Sequence, residues 1–284
     1  MIFFPNAKIN IGLRLMSIRK DGFHNIESIF FPINLFDVLE VVKAKGSQLQ
    51  KININYSGNI RSISNDLCVK AYNLLDQDFN LPPIKVFLYK HIPIGSGLGG
   101  GSSNAVYMLK TLNDLFELNL NQEQLLNYCK NLGSDCSFFL LNKPSFVSGL
   151  GDIVNSQINF SLKGYKLLLV FPSKFLSTFQ VFENIEDKSD LIKENIKKPD
   201  LFCKILNHEI PVKSWKDNLK NDLEQTSFKF VPEIKEIKEK LYKMGAIYAS
   251  MSGSGTSVYG VFSKNICLKN NWGEQYFSFS SDLG

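Results

Sequence analysis

Residues 93–105 read PIGSGLGGGSSNA and hold five glycines, Gly95, Gly97, Gly99, Gly100 and Gly101. Glycine permits φ > 0 and lets another molecule approach the backbone closely. The preceding residues 84–90 (IKVFLYK) are β-branched and aromatic and suit a strand. The following residues 103–116 carry Val106, Leu109, Leu112 and Leu115 at helical spacing. The glycines therefore occupy a strand-to-helix turn. A helix N-terminus presents unpaired N–H groups and a partial positive charge, so this turn has the make-up of an anion cradle, with phosphate the usual guest. Ser102 and Ser103 at the helix start fit that use better than they fit a flexible connector. Two familiar phosphate loops do not match. A P-loop needs Lys and then Ser or Thr after its last glycine, whereas Gly101 is followed by Ser102, Ser103 and Asn104. A dinucleotide fingerprint needs an acidic residue at the end of a second strand, and Asp114 and Glu117 fall within or just past the helix. The loop brings no cation of its own, so the chemistry must come from elsewhere in the chain.

Four other positions could supply it. Ala7, Ile9, Ile11, Leu13 and Leu15 alternate with Asn6, Lys8, Asn10 and Arg14, the pattern of a half-buried strand. Lys8 and Asn10 then share one face, about 7 Å apart; on this stretch alone an exposed strand lysine is the plainer reading. His24 follows an Asp21-Gly22 turn and Phe23, and an aromatic beside a histidine can grip a flat heterocycle by stacking and hydrogen bonding. A solvated turn histidine is the alternative. Asp135 opens an apolar segment, where helix capping alone favours an acidic residue. A second glycine loop, residues 251–256 (MSGSGT), runs into the strand pattern of residues 257–262.

The elements around these positions read as mixed α and β. Residues 36–45, 50–56 and 165–171 are strand candidates, the last ended by Pro172. Asn65 and Asp66 look like a start for a helix over 67–76. Residues 123–132 form a short amphipathic helix that Gly133 should end. A change of domain is expected near 146–151, and 183–199 reads as surface helix or loop. Helices are expected over 219–228 and 232–244, the second with proline in its first turn and Gly245 past its end. Residues 270–284 read as loosely held.

Composition narrows the class. A chain of 284 residues with 44% hydrophobic and 21% charged residues is a globular protein of two modest domains or one large one. The net charge of +5 includes only three arginines, Arg14, Arg19 and Arg61, which argues against a nucleic-acid reader built on the arginine fork. Phosphate must be held by backbone N–H groups and lysines. The five cysteines are widely spaced without a CxxC, supporting neither zinc nor a disulfide framework; reduced thiols in a cytoplasmic protein are the plain reading. MIFFPNAK lacks the basic start of a signal peptide, and no apolar run approaches a membrane span.

Residues 5–10 (PNAKIN) resemble the first motif of the GHMP small-molecule kinase superfamily, which includes galactokinase, homoserine kinase and mevalonate kinase. Residues 93–103 resemble its phosphate-binding second motif, and residues 250–256 (SMSGSGT) its third. Order and spacing span almost the whole chain. Within the superfamily the chain is most similar to the branch acting on a cytidyl diphosphate erythritol. The first motif has that branch's form PxAKxNxxL, Asp21-Gly22-Phe23-His24 stands at its Asp-Gly-Tyr-His, and Leu132-Gly133-Ser134-Asp135 at its Leu-Gly-Ala-Asp. Phe23 departs from tyrosine by losing a hydroxyl, and Cys136-Ser137 stands where Val-Pro is common.

The resemblance implies an α+β, two-domain GHMP kinase fold with the active site in the inter-domain cleft, an ATP-binding domain over 1–148 and a substrate-binding domain over 149–284. It implies ATP-dependent phosphorylation of the substrate's 2-hydroxyl in the non-mevalonate route to isoprenoid precursors. Asp135 would take the proton of the attacking hydroxyl and Lys8 would keep Asp135 ionised. Pro93, Gly95, Ser96, Gly97, Leu98, Gly99, Gly100, Gly101, Ser102 and Ser103 would wrap the ATP phosphates, with Ser103 helping to hold Mg²⁺. Asn10 would hold the substrate, His24 would read the cytosine edge, and Phe23 and Phe175 would be the aromatic jaws. Gly253, Ser254, Gly255 and Thr256 would approach the substrate's phosphates. No nucleic-acid or membrane partner is implied, and a monomer or weak homodimer is expected. Two alternatives stay open on sequence: another alcohol kinase of the superfamily, and a non-catalytic nucleotide-binding protein. Intact Lys8 and Asp135 speak against the second.

Overall fold

The structure is a computed structural model and describes residues 1–44, 50–58, 63–268 and 272–284. Lys45, Arg61 and Asn270, named above, lie outside the described residues. The chain begins β1 (Ile2–Phe3), β2 (Asn6–Ile18), β3 (His24–Phe36), β4 (Val38–Lys43), β5 (Ile52–Ser57), α1 (Leu67–Phe79), β6 (Ile84–Tyr89) and α2 (Gly100–Leu115). It continues α3 (Gln122–Leu132), α4 (Cys136–Leu141), β7 (Ser145–Ser148), β8 (Ile153–Asn155), β9 (Tyr165–Phe171), α5 (Thr178–Glu183), α6 (Lys188–Ile196) and α7 (Leu201–Leu206). It ends α8 (Trp215–Asn218), α9 (Glu224–Phe230), α10 (Glu233–Lys243), β10 (Tyr248–Met251), β11 (Val258–Ser263) and β12 (Phe277–Leu283).

The chain folds as two compact units, each assembled from separated stretches. One comprises Met1–Ala7, Asn34–Ile94 and Gly99–Asn142; the other comprises Lys8–Ile33, Gly95–Leu98 and Lys143–Gly284. This interleaving differs from a single cut between residues 148 and 149.

In the first unit a four-stranded sheet has the order β1-β4-β6-β5. β5 and β6 run parallel, and α1 lies between them in the chain. β6 shows why these residues make a strand: Ile84, Val86 and Leu88 are buried and alternate with exposed Lys85, Phe87 and Tyr89. α1 starts where Asp66 caps it, its carboxylate accepting from the Cys68 N–H at 2.6 Å. α3 starts on a capping box, Asn121 with Gln124. Under the glycine-rich turn lies a buried polar cluster. Lys90 donates to Asp37 and, at 2.8 Å, to Asn104 of α2. The Asp37 carboxylate also accepts from the N–H groups of His91 and Ile92, both at 2.8 Å, and from Asn104 Nδ2 at 2.9 Å. A buried charge pair is tolerable only when further hydrogen bonds complete it, and these do. They fix the end of β6 to the first turns of α2.

The second unit holds two four-stranded sheets, β2-β3-β7-β8 and β10-β11-β9-β12. α10 has Pro232 as its N-cap, Glu233 and Glu236 in its first turn and Lys240 and Lys243 in its last, charges that suit the helix dipole. Ile234, Ile237 and Leu241 put its apolar face into a core with Leu13, Leu15, Leu168, Val170, Met251, Val258 and Phe262. Three expectations need correction here. β2 is buried along residues 6–15 on both faces rather than half-buried, because Lys8, Asn10 and Arg14 are all partnered inside the protein. The helix expected over 219–228 is split: α8 stops at Asn218, Leu219 is extended, and α9 begins at Glu224. The backbone of residues 220–222 instead pairs with β2, the Leu13 N–H donating to Lys220 O at 3.0 Å and the Asp222 N–H to Leu13 O at 2.9 Å. The C-terminal residues are not loose: β12 pairs with β9 from Phe277↔Phe171 to Leu283↔Tyr165.

Candidate active site

The second unit gathers parts of all three sequence motifs around Asn10. Lys8 is 3% exposed. Its Nζ donates to Asn10 Oδ1 at 2.5 Å and lies 4.3 Å from the centre of the Phe30 ring, a cation–π distance. The plain reading of Lys8 as an exposed strand lysine is therefore overturned. Asn10, expected to hold substrate, is hydrogen-bonded at both ends of its amide, Oδ1 to Lys8 and Nδ2 to Ser28 Oγ at 3.2 Å. Its backbone N–H donates to Ser252 Oγ at 3.2 Å. Ser252 in turn donates to Gly97 O at 2.9 Å, and Tyr259 donates to Asn10 O at 2.7 Å.

The glycine loop is built for close approach at defined points. Gly95, Gly97 and Gly99 have φ of +65°, +77° and +72°, the left-handed region that disfavours side chains. A Cβ on Gly97 would lie 2.1 Å from Ser252 O. Gly95 is covered by Phe175, whose ring would meet a Cβ at 2.3 Å. The Lys8 N–H donates to Leu98 O at 3.0 Å, and the Ser257 N–H donates to Ser96 O at 3.1 Å. Pro93 leads into the loop from the first unit. Gly99 is the N-cap of α2, and no side chain caps that helix, nor is any acidic residue in its first turn. Gly100 sits tightly over Ile92, and Gly101 has open space around it, with only Leu67 at 3.9 Å. Ser103 is fully buried, and its hydroxyl has no hydrogen-bond partner among the described residues. The Ser102 carbonyl faces the Cys136 thiol, with Sγ 3.9 Å away.

Asp135 belongs to the first unit, as the N-cap of the six-residue α4. It makes no side-chain cap hydrogen bond there, so capping does not account for its carboxylate. Cys136, where the branch carries valine, is buried, and burial pushes its thiol up to about 12, which keeps it protonated and inert.

His24 opens β3 and is 9% exposed. Its Nε2 is buried with no hydrogen-bond partner among the described residues. Burial, with Lys188 a lesser cause, holds the imidazole below its usual value, so it is neutral at pH 7. Its ring lies 5.4 Å from that of Phe182, tilted by 32°. Phe23, on the preceding turn, is 61% exposed. The aromatic against His24 is thus Phe182 on α5, whereas Phe175, expected as the second jaw, lies against Gly95.

The third motif is fastened from behind. Asn221 Nδ2 donates to Met251 O at 2.9 Å and to Gly253 O at 2.8 Å. The Met251 N–H donates to Glu224 Oε1 at 2.8 Å, and Glu224 pairs with Lys238 at 2.5 Å. Gly253 has φ +58°, and a Cβ there would meet Asn10 Oδ1 at 3.3 Å. Ser254 Oγ bonds with Thr178 Oγ1 at 2.8 Å, and Thr256 Oγ1 donates to Lys174 O at 2.5 Å. Gly255 turns at φ +97° against Met251. Sequence reading missed Ser28, Phe182, Asn221, Glu224 and Ser252.

Among the described residues no group of three or more His, Cys, Asp or Glu could hold a metal ion. Mg²⁺, however, is commonly held by substrate phosphates and water with one or two protein groups. The orphaned Ser103 hydroxyl is a protein group of that kind.

Residues 66–143 match the family described as GHMP kinases N terminal domain, and residues 206–266 match GHMP kinases C terminal. The fold agrees: a crystal structure of mevalonate kinase superposes with TM-score 0.71 at 17% identity, covering 100% of this chain and 99% of that one. A crystal structure of 4-(cytidine 5'-diphospho)-2C-methyl-D-erythritol kinase superposes with TM-score 0.70 at 26% identity, covering 92% of this chain and 89% of that one. A 4-diphosphocytidyl-2-C-methyl-D-erythritol kinase of Bacteroides thetaiotaomicron is 47% identical over 290 residues, covering 100% of both chains. One of Porphyromonas gingivalis is 37% identical, covering 92% of each. The chain belongs to the 4-diphosphocytidyl-2-C-methyl-D-erythritol kinase family, within the GHMP kinases.

Proposed function

We propose that this protein uses ATP to phosphorylate the 2-hydroxyl of 4-diphosphocytidyl-2-C-methyl-D-erythritol, a step of the non-mevalonate route to isoprenoid precursors. Membership of the family supports the activity and its substrates. The observation that carries the mechanism is the buried Lys8 ammonium, held by Asn10 beside Gly97 and the third motif. A lysine does not stay buried on a strand for solvation; its charge is spent on something.

Phosphoryl transfer needs positioning and charge stabilisation more than covalent chemistry. Asp135 accepts the proton of the attacking hydroxyl. Lys8 favours the charge that builds on the transferred group and the ionised form of Asp135. The left-handed glycines and the uncapped start of α2 offer N–H groups to the ATP phosphates. Mg²⁺, when bound with ATP, neutralises phosphate charge; Ser103 is its proposed protein ligand. The neutral His24 meets the cytosine edge, with Phe23 and Phe182 as the aromatic faces. Residues 1–148 carry most of the nucleotide-binding role and residues 149–284 most of the substrate-binding role. The enzyme works in the cytoplasm, as a monomer or weak homodimer.

The test is a product assay with ATP, Mg²⁺ and the cytidyl erythritol, followed by phosphorus NMR. A new phosphomonoester resonance together with ADP supports the reading. ATP consumed without a phosphorylated alcohol, or turnover indifferent to the cytidyl group, removes it.

A further inference from the structure

Asn10 holds the Lys8 ammonium, and an amide can do so only with its oxygen turned toward the cation. Flipped, it would present its own NH₂ to the ammonium, donor against donor, and forfeit that hydrogen bond. Something must therefore fix which way the amide points. Ser28, on β3, is fully buried. Its hydroxyl donates to the carbonyl oxygen of Gly12 at 2.5 Å. A hydroxyl has one proton, so toward Asn10 Ser28 can only accept. The Asn10 atom 3.2 Å from Ser28 must then be Nδ2, which leaves Oδ1 to Lys8 at 2.5 Å. Gly12 takes part through its backbone: it sits at φ +66° inside β2, a bulge-like position. Ser252, on the other side of Asn10, does a different job. Its proton has Gly97 O at 2.9 Å, nearer than Asn10 Oδ1 at 3.4 Å, so it ties down main chain rather than orienting the amide.

We propose that Ser28 is a positioning residue for phosphoryl transfer: by spending its proton on Gly12 it orients the Asn10 amide, and through it the Lys8 ammonium. The inference rests on the reading of Lys8 as catalytic. Its test is steady-state kinetics on the full chain with Ser28→Ala, Ser28→Thr, Asn10→Leu, the Ser28→Ala/Asn10→Leu pair and Lys8→Met. Losing the group that accepts from Asn10 Nδ2 is expected to lower kcat about tenfold in Ser28→Ala, with the KM for ATP moving less than about twofold. Ser28→Thr keeps the hydroxyl and should restore kcat. Because Ser28 acts through Asn10, Ser28→Ala should cost nothing further in the Asn10→Leu background. A Ser28→Ala kcat equal to the parent's, a Ser28→Thr as slow as Ser28→Ala, or losses that multiply in the pair would each overturn the inference. Should Ser28→Ala not fold, Ser28→Cys keeps the volume with a weaker hydrogen bond and takes its place in the series. If Lys8→Met retains parental kcat, the reading of Lys8 fails and this inference with it. If Lys8→Met is inactive while Ser28→Ala matches the parent, the Ser28 inference alone fails.

Discussion

Asp135 opens α4 without capping it, so the usual reason for an acidic residue at a helix start does not explain it. Asp135→Asn removes the proposed base and keeps the size, so both substrates should still bind while kcat falls about 10²–10⁴-fold. Calorimetry for binding and single-turnover quench for chemistry separate the two, and near-parental turnover would take Asp135 out of the mechanism. At His24 the orphaned Nε2 and the ring against Phe182 point to an aromatic ligand with a hydrogen-bonding edge. His24→Ala should raise the KM for the cytidyl substrate about tenfold, the worth of one lost hydrogen bond and some stacking, and leave the KM for ATP alone. An equal rise for both ligands would refute base reading. His24 also has a signed effect on stability. Its folded-state value is lowered by burial, so as the pH falls the unfolded chain takes up the proton first. Below the unfolded value, about pH 6.5, this residue then works against the fold, and above it the effect vanishes. His24→Phe removes the term. Its Tm relative to the parent should therefore improve between about pH 7.5 and about pH 5.5, read by calorimetry across that range; a constant difference would contradict the shift.

Among the elements, the glycine loop is several different sites under one composition. Gly97 combines φ +77° with a Cβ position 2.1 Å from Ser252 O. Gly97→Ala must move backbone against backbone, and should destabilise the protein by about 1–3 kcal/mol. Gly101 lies inside α2, with only Leu67 at 3.9 Å. Gly101→Ala, at the second residue of α2, should stabilise by up to about 0.5 kcal/mol, because glycine loses more backbone freedom on folding than alanine. Urea melts of the two variants give opposite signs on this argument; a drop in both would mean that flexibility, rather than close approach, is what the loop needs. The same element shows what could be read from sequence. Strand, glycine turn and helix were legible because their signals are local: alternation in β6, three-residue spacing in α2, capping at Asp66. The break at Leu219 was not, because the residues after it follow β2, more than 200 positions earlier in the chain. The burial of Lys8 could not be read from its own stretch for the same reason. Alternation in β2 reports its apolar face correctly, but the burial of its polar face comes from Phe30, Ser28, Ser252 and Tyr259, none of which is local in sequence. Phe182 was missed because three phenylalanines, Phe175, Phe179 and Phe182, compete within one short stretch. Only tertiary packing selects the one that meets His24.

For the whole molecule, the interleaving of its two units makes a statement about autonomy. A fragment ending at residue 148 would contain β2 but lose what completes it. Leu13 would lose its bonds to Lys220 and Asp222, Leu15 its bond to Asp222, Asn10 those to Ser252 and Tyr259, and Arg14 those to Asn195 and Lys198. Each buried polar group left without a partner costs about 1–3 kcal/mol. Several together match the about 5–15 kcal/mol by which a whole domain is stable. The fragment 149–284 fares no better, since Leu13, Leu15 and Ile26 fill the core that α10, β9 and β11 build, and their absence leaves a cavity where about 1.5–3 kcal/mol of burial per side chain is lost. Neither fragment should fold alone, whatever division of ligands the two stretches have in the intact enzyme. Co-expressed, the two carry every partner and should reassemble into a species with the parent's near-UV circular dichroism. Amide proton dispersion of each isolated fragment is the direct measurement. A well-dispersed spectrum from 1–148 alone would show that β2 needs none of its C-terminal partners, and would replace the interleaved units with two halves in series.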